Sequence, residues 1–223
     1  AVADATGNNT YRVRAGRIID HVIEWAEHNG WRIPEHFKSD WSVDLECNAD
    51  KKDDQFKPYG ATPGHGIEWA RLIVQWALSS FANRDGARPY IDAAEHLFAR
   101  AVDDAWNVDG AQGLVYTTDW NGMPVVTDRM HWTAAESLNT AATLHAATGE
   151  ARYADWYATF ARYVDEHVID HEGGSWFHQL DGDNRVIGTV WPGKSDLYHA
   201  FQSTLIPFLD PAVSIATAVK NAE

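Results

Sequence analysis

Residues Pro63 to Phe81 read PGHGIEWARLIVQWALSSF. Ile67, Trp69, Ala70, Leu72, Ile73, Val74, Trp76, Ala77 and Leu78 put apolar groups nearly all round a helix. A helix with that pattern is buried. Two later stretches behave the same way. Met130 to Ala147 is rich in Ala, Leu and Thr, and Gly193 to Leu209 carries Leu197, Tyr198, Phe201, Leu205 and Ile206.

Between these stretches lie helices with a single apolar stripe. From Asn9 to His28 the stripe is Tyr11, Ala15, Ile18, Val22, Trp25 and Ala26. From Ala87 to Trp106 it is Ile91, Ala94, Phe98, Ala101, Val102 and Ala105; from Glu150 to Val168 it is Tyr153, Trp156, Tyr157, Phe160, Val164 and Val168. The order is thus wet, buried, repeated three times. Connections from buried to wet helices are short, as at Thr148-Gly149. Those from wet to buried are long and carry hairpin signals, Asn121-Gly122 and Asp181 to Asn184 among them. An internal repeat accompanies the alternation: Thr6-Gly7-x-x-x-Tyr11 matches Thr148-Gly149-x-x-x-Tyr153, and Pro63-Gly64 matches Pro192-Gly193. Inner and outer helices in a repeat describe an all-α toroid, an α/α barrel. The inner helices then start at one end, together with every long loop, and a pocket is expected there.

Composition narrows the function. The 223 residues carry a formal charge of −14, which opposes nucleic-acid phosphates and anionic lipid. No apolar run reaches the ~18 residues of a membrane span. Cys47 is the only cysteine, which fits a reducing, cytoplasmic setting. Most of the 11 Trp fill core, but those at the loop end offer flat faces to a sugar ring.

His65 stands at the start of the first buried helix, with Glu68 one turn on. The helix N-terminus is expected to lower its pKa and suit it to act as a general base. H-x-x-E is also half of a metal site, but no second ligand cluster accompanies it, so no metal and no cofactor are expected. His199 opens the third buried helix beside Asp196 and Gln202. Trp132, Glu136 and Asn139 share one face of the second, where Glu136 reads as a binding or supporting group. Trp176, His178 and Trp191 lie on the hairpins of the same end. Asp103-Asp104, Asp119, Asp181 and Asp183 are not paired by spacing as glycosidase carboxylates would be; Asp181 to Asn184 reads as a turn, and Asp103 and Asp104 as helix surface. Gly60, Gly64 and Gly66 do not follow a nucleotide-binding pattern.

The runs YGATPGHGIEWAR (Tyr59 to Arg71), HWTAAE (His131 to Glu136), GSWFHQLD (Gly174 to Asp181) and WPGKSDLYH (Trp191 to His199) resemble the N-acylglucosamine 2-epimerase superfamily, in its aldose–ketose isomerase branch. The resemblance implies an (α/α)6 barrel of twelve helices. Residues 1–223 would then be the C-terminal half of one catalytic domain, with the N-terminal half as the partner that completes it, and the fragment alone is expected to be inactive. It implies a monosaccharide substrate and D-mannose to D-fructose isomerisation through a cis-enediolate, without metal. His65 and His199 become the acid/base pair, with Glu68 holding the His65 tautomer. Gln55, Trp132, Glu136, His178 and Ser195 become pocket residues. Sulfoquinovose isomerases carry Gln at the positions of His178 and Ser195, which favours an unsubstituted hexose. The alternatives are a sugar 2-epimerase or sulfoquinovose isomerase on the same machinery and, more distantly, a carbohydrate-binding or glycosidase-like α/α barrel.

Overall fold

The computed structural model describes residues 1–54 and 56–222. A short helix α1 (Val2–Thr6) leads into α2 (Thr10–His28). Then come α3 (Pro63–Ser80), α4 (Arg84–Ala105), α5 (His131–Thr148) and α6 (Ala151–Tyr163), the last continued by a π-turn over Val164–Val168. Helices α7 (Leu197–Leu205) and α8 (Ile215–Ala222) close the chain. The last of these has no counterpart in the sequence reading.

Helix α5 is the centre. It packs against α3 on one side and α7 on the other, while α4 covers α3 and α6 covers α5. This is the expected alternation of an inner and an outer row. A buried helix rich in Thr and Ser is tolerable because its hydroxyls turn back on carbonyls: Ser137 Oγ donates to Thr133 O and Thr143 Oγ1 to Asn139 O. Thr140 Oγ1 instead crosses to Ile67 O at 2.8 Å and stitches α5 to α3. The α4 stripe is buried as expected, and Phe98 meets Tyr153 and Phe160 of α6 edge to face. The repeat is visible in backbone geometry: Gly7 and Gly149 both end a helix in the left-handed region, at φ 68° and 73°.

Three expectations are corrected. Helix α7 starts at Leu197 and is not buried all round: Leu197 and Phe208, just past its end, are 77% and 82% exposed, and only Ala200, Ser203 and Ile206 turn inward. Helix α2 buries Gly16, Ile19, Val22 and Ala26, leaving Tyr11 and Ile18 exposed. Gly16 lies inward because Trp76 packs where its Cβ would stand. Asp104 is not surface; it is buried against Arg32, accepting from Nε at 2.6 Å and from a terminal nitrogen at 2.9 Å.

Two small sheets fix the loop end. β1 (Thr117–Thr118) and β2 (Pro124–Val126) form the hairpin expected around Asn121-Gly122. It is tied to the entrance of α3 by paired bonds between Ala61 and Thr118. β3 (Arg129–Met130), β4 (Gln179–Leu180) and β5 (Val186–Ile187) form an antiparallel sheet in that order. The β3–β4 pairing sets the start of α5 beside His178, whose carbonyl accepts from the His131 amide at 3.2 Å.

Candidate active site

The starts of α3, α5 and α7 converge. Trp132, on the first turn of α5, is near both expected histidines: the His65 ring lies 4.9 Å from it and the His199 ring 6.1 Å. Gly64 makes this approach possible, since a Cβ there would meet the Trp132 ring at 2.8 Å and Thr133 Cγ2 at 2.6 Å. Tyr116 meets Trp132 edge to face.

Each histidine is oriented by a carboxylate at Nδ1. For His65 that group is Glu35, at 2.7 Å, and not Glu68. Glu35 comes from the long connection after α2, where neither periodicity nor spacing marks it, and its second oxygen accepts from Thr62, the residue capping α3. The direction of the His65 pKa is also the reverse of the helix-terminus expectation. Burial pushes it down, but the hydrogen bond to Glu35 and the charges of Glu35 and Glu68 hold it above the ordinary value. For His199 the carboxylate is Asp196, the cap of α7. It accepts the His199 amide at 3.1 Å and lies 3.5 Å from His199 Nδ1. A carboxylate at Nδ1 leaves Nε2 as the ring atom free to take or give a proton.

Glu68 lies close enough to both histidines for their charges to act on it. Burial raises its pKa, as does the charge of Glu136, against the opposing pull of Arg71, His65 and His199. Its oxygen is 3.9 Å from Arg71, which bonds Glu136 through Nε at 2.7 Å. Glu136 is 0% exposed and Arg71 3%. Glu136 thus forms an ion pair that links α5 to α3, while its Oε1 has no hydrogen-bond partner among the described residues.

His131, adjacent to Trp132, was not singled out from the sequence and is a second addition. Its Nε2 lies 2.9 Å from Asp196 Oδ2, and its ring meets His178 at 4.6 Å. Burial and the neighbouring His178 push its pKa down to about 4, against Asp196. Asp196 is itself held at about 2: burial would raise it, but the His199 amide, His131 and His199 outweigh that. His178 stacks on Trp191 at 5.6 Å. Buried Gln179 steadies that wall, its Oε1 accepting from the amides of Val190 and Trp191. The buried Ser195 Oγ has no partner among the described residues. Gln55, also expected in the pocket, lies outside them.

The N-termini of α3 and α7 thus bring two imidazoles, each with a carboxylate at Nδ1, close to the Trp132 ring. The chain belongs to the N-acylglucosamine 2-epimerase (GlcNAc 2-epimerase) family, whose model matches residues 1–203. It is 44% identical, over 100% of its own length, to a D-mannose isomerase of Pseudomonas cannabina pv. alisalensis, and 42% identical over 98% to one of Thermobifida fusca. A solved D-mannose isomerase superposes with a TM-score of 0.83 at 27% identity, over 98% of this chain and 52% of that one. Cellobiose 2-epimerase from Spirochaeta thermophila shares the fold, with a TM-score of 0.69 at 20% identity, over 98% of this chain and 50% of that one. The chain spans about half the length of the curated relatives it matches, 54% in each of these two cases.

Proposed function

We propose that this chain supplies the C-terminal half of an (α/α)6-barrel aldose–ketose isomerase that converts D-mannose to D-fructose without a metal. The observation that carries the reading is the pair His65 and His199 close to the Trp132 ring, each with a carboxylate at Nδ1. The names and identities of the relatives supply the substrate.

The reaction needs one group for carbon and one for oxygen. In the open-chain sugar, His199 takes the C2 proton. The electron pair of that C–H bond becomes the C1=C2 bond, and O1 takes a proton from His65. The resulting cis-enediol then loses its O2 proton to His65 while C1 takes a proton from His199, which leaves a C2 ketone and restores both rings. A His65 pKa held above the ordinary value suits a group that begins as an acid at oxygen. Glu68 adds negative charge beside His65, which favours its protonated form. Trp132, His178 and Ser195 are assigned to sugar contact and Glu136 to support.

The groove along α2 and α3 has the properties of the missing contact. It measures about 760 Å³ and is lined by Tyr11, Ile18, Trp69, Leu72 and Tyr198, among others. We assign it to the N-terminal half of the barrel, so the sugar pocket is complete only when that half is present. The test is the full-length enzyme with mannose in deuterated water, followed by NMR. Fructose labelled at C1 is the expected product, and glucose alone would make the protein a 2-epimerase. His199→Asn and His65→Asn should each cost about 100-fold or more in kcat; full turnover by both would overturn the two-histidine mechanism.

A further inference from the structure

We propose that His131, His178 and Asp196 form a binding site for a divalent transition-metal ion, and that an ion held there switches the enzyme off. The inhibitory part rests on the isomerase reading above; the site does not.

The three residues come from separate elements. His131 opens α5, His178 precedes β4, and Asp196 caps α7. One donor atom from each falls within 4.8 Å of the other two. His131 Nε2 and Asp196 Oδ2 are already 2.9 Å apart. Ligands at about 2.0–2.1 Å from one ion stand about 3 Å apart, so this pair has ligand spacing. His178 must move in by on the order of 1 Å to complete the set. Two imidazoles and one carboxylate, with the remaining positions open, are the donor chemistry of Zn²⁺, Co²⁺ or Fe²⁺ rather than of Ca²⁺ or Mg²⁺.

The supports are those of a built site. The His131 amide bonds the His178 carbonyl, so the β3–β4 pairing holds two of the ligands together. The His178 ring is steadied by its stack on Trp191. An ion would also reach the chemistry. Asp196 is the carboxylate at His199 Nδ1, and a metal that takes Oδ2 draws away negative charge from beside this imidazole.

The test uses the full-length protein and Zn²⁺ titrated against a chromophoric chelator, with Co²⁺ absorption as a second readout. The expected result is one Zn²⁺ per chain, bound at least about tenfold more weakly by His178→Ala and by His131→Asn. His145→Ala, at an exposed histidine of α5 outside the cluster, should bind as the parent does. Should His131→Asn fail to fold, His178→Ala at the half-buried rim decides alone. One equivalent of Zn²⁺ should lower mannose turnover about tenfold or more, and a chelator should restore it. Absence of stoichiometric binding, or equal binding by His178→Ala, overturns the site. Stoichiometric binding with turnover unchanged overturns the inhibitory role. A metal-free enzyme that turns over no sugar refutes the reaction reading instead, and the titration still decides the site.

Discussion

Glu35→Gln removes one charge from the site and leaves the volume almost unchanged. In the parent, Glu35 Oε1 sits 2.7 Å from His65 Nδ1. A hydrogen bond to a charged group contributes about 1.5–3 kcal/mol, or roughly 10- to 150-fold in a rate or equilibrium constant. The His65 side chain is 41% exposed, so solvent screening places the expectation at the low end, near tenfold. The sign follows from the direction of the shift. Glu35 raises the His65 pKa, so its contribution to stability is fully present below the ordinary histidine value of about 6.5 and is lost as pH rises through the raised one. The variant should therefore lose most stability at about pH 5–6.5 and least in alkali. Its alkaline limb of kcat should move to lower pH, because His65 gives up its proton earlier. Urea unfolding across pH and kcat–pH profiles of the full-length enzyme measure both effects. A kcat profile that superposes on the parent, with the whole loss in KM, would refute the assignment of Glu35 as the group that tunes His65.

Arg71→Met should cost about 3–5 kcal/mol in urea unfolding, because it strands the fully buried Glu136 without a cation, and Arg71→Met/Glu136→Leu should recover most of it. Stability within about 1 kcal/mol of the parent for Arg71→Met would show that Glu136 is not anchored as described. Gly64→Ala should lose about 1–3 kcal/mol and reduce turnover, since the new methyl displaces Trp132 from its place near the histidines; an unchanged kcat would sink that account. Gln179→Leu takes the acceptor from the amides of Val190 and Trp191, and it should raise KM and speed proteolytic cutting near Gly188–Trp191. Equal cutting of both proteins would remove Gln179 from the wall.

The alternation of helix types was legible because burial writes itself into periodicity. Phe98, Tyr153 and Phe160 point where their stripes require. The histidines drew notice because each stands in the first turn of a helix rich in apolar residues, and the resemblance then paired them. Glu35, His131 and Asp196 were not, for three different reasons. Glu35 lies in an irregular connection, where orientation depends on the tertiary path of the chain. His131 stands next to Trp132 and became informative only when β3 paired with β4. Asp196 looked like a polar interruption, and only the fold gives it two histidines and a helix to cap. Asp104 failed in the opposite sense: its partner Arg32 is too distant in sequence for any local pattern to show that the carboxylate is buried.

The errors on α7 and α2 have a common physical origin. Both sequences carry more apolar surface than the described neighbours cover: Leu197, Tyr198 and Phe201 on one helix, Tyr11 and Ile18 on the other. A helix reads as buried from its own composition, whichever chain segment does the burying. Tyr11, Ile18 and Tyr198 line one groove together with Trp69 and Leu72 of α3. A contiguous apolar patch on that scale marks a contact surface, and relatives nearly twice as long supply the chain that the proposed barrel would place there. The same argument reaches the chemistry. Tyr198 is next to His199, and Trp69 and Leu72 follow Glu68 on α3. Whatever covers the groove therefore also contacts the two helices that carry the proposed proton-transfer residues.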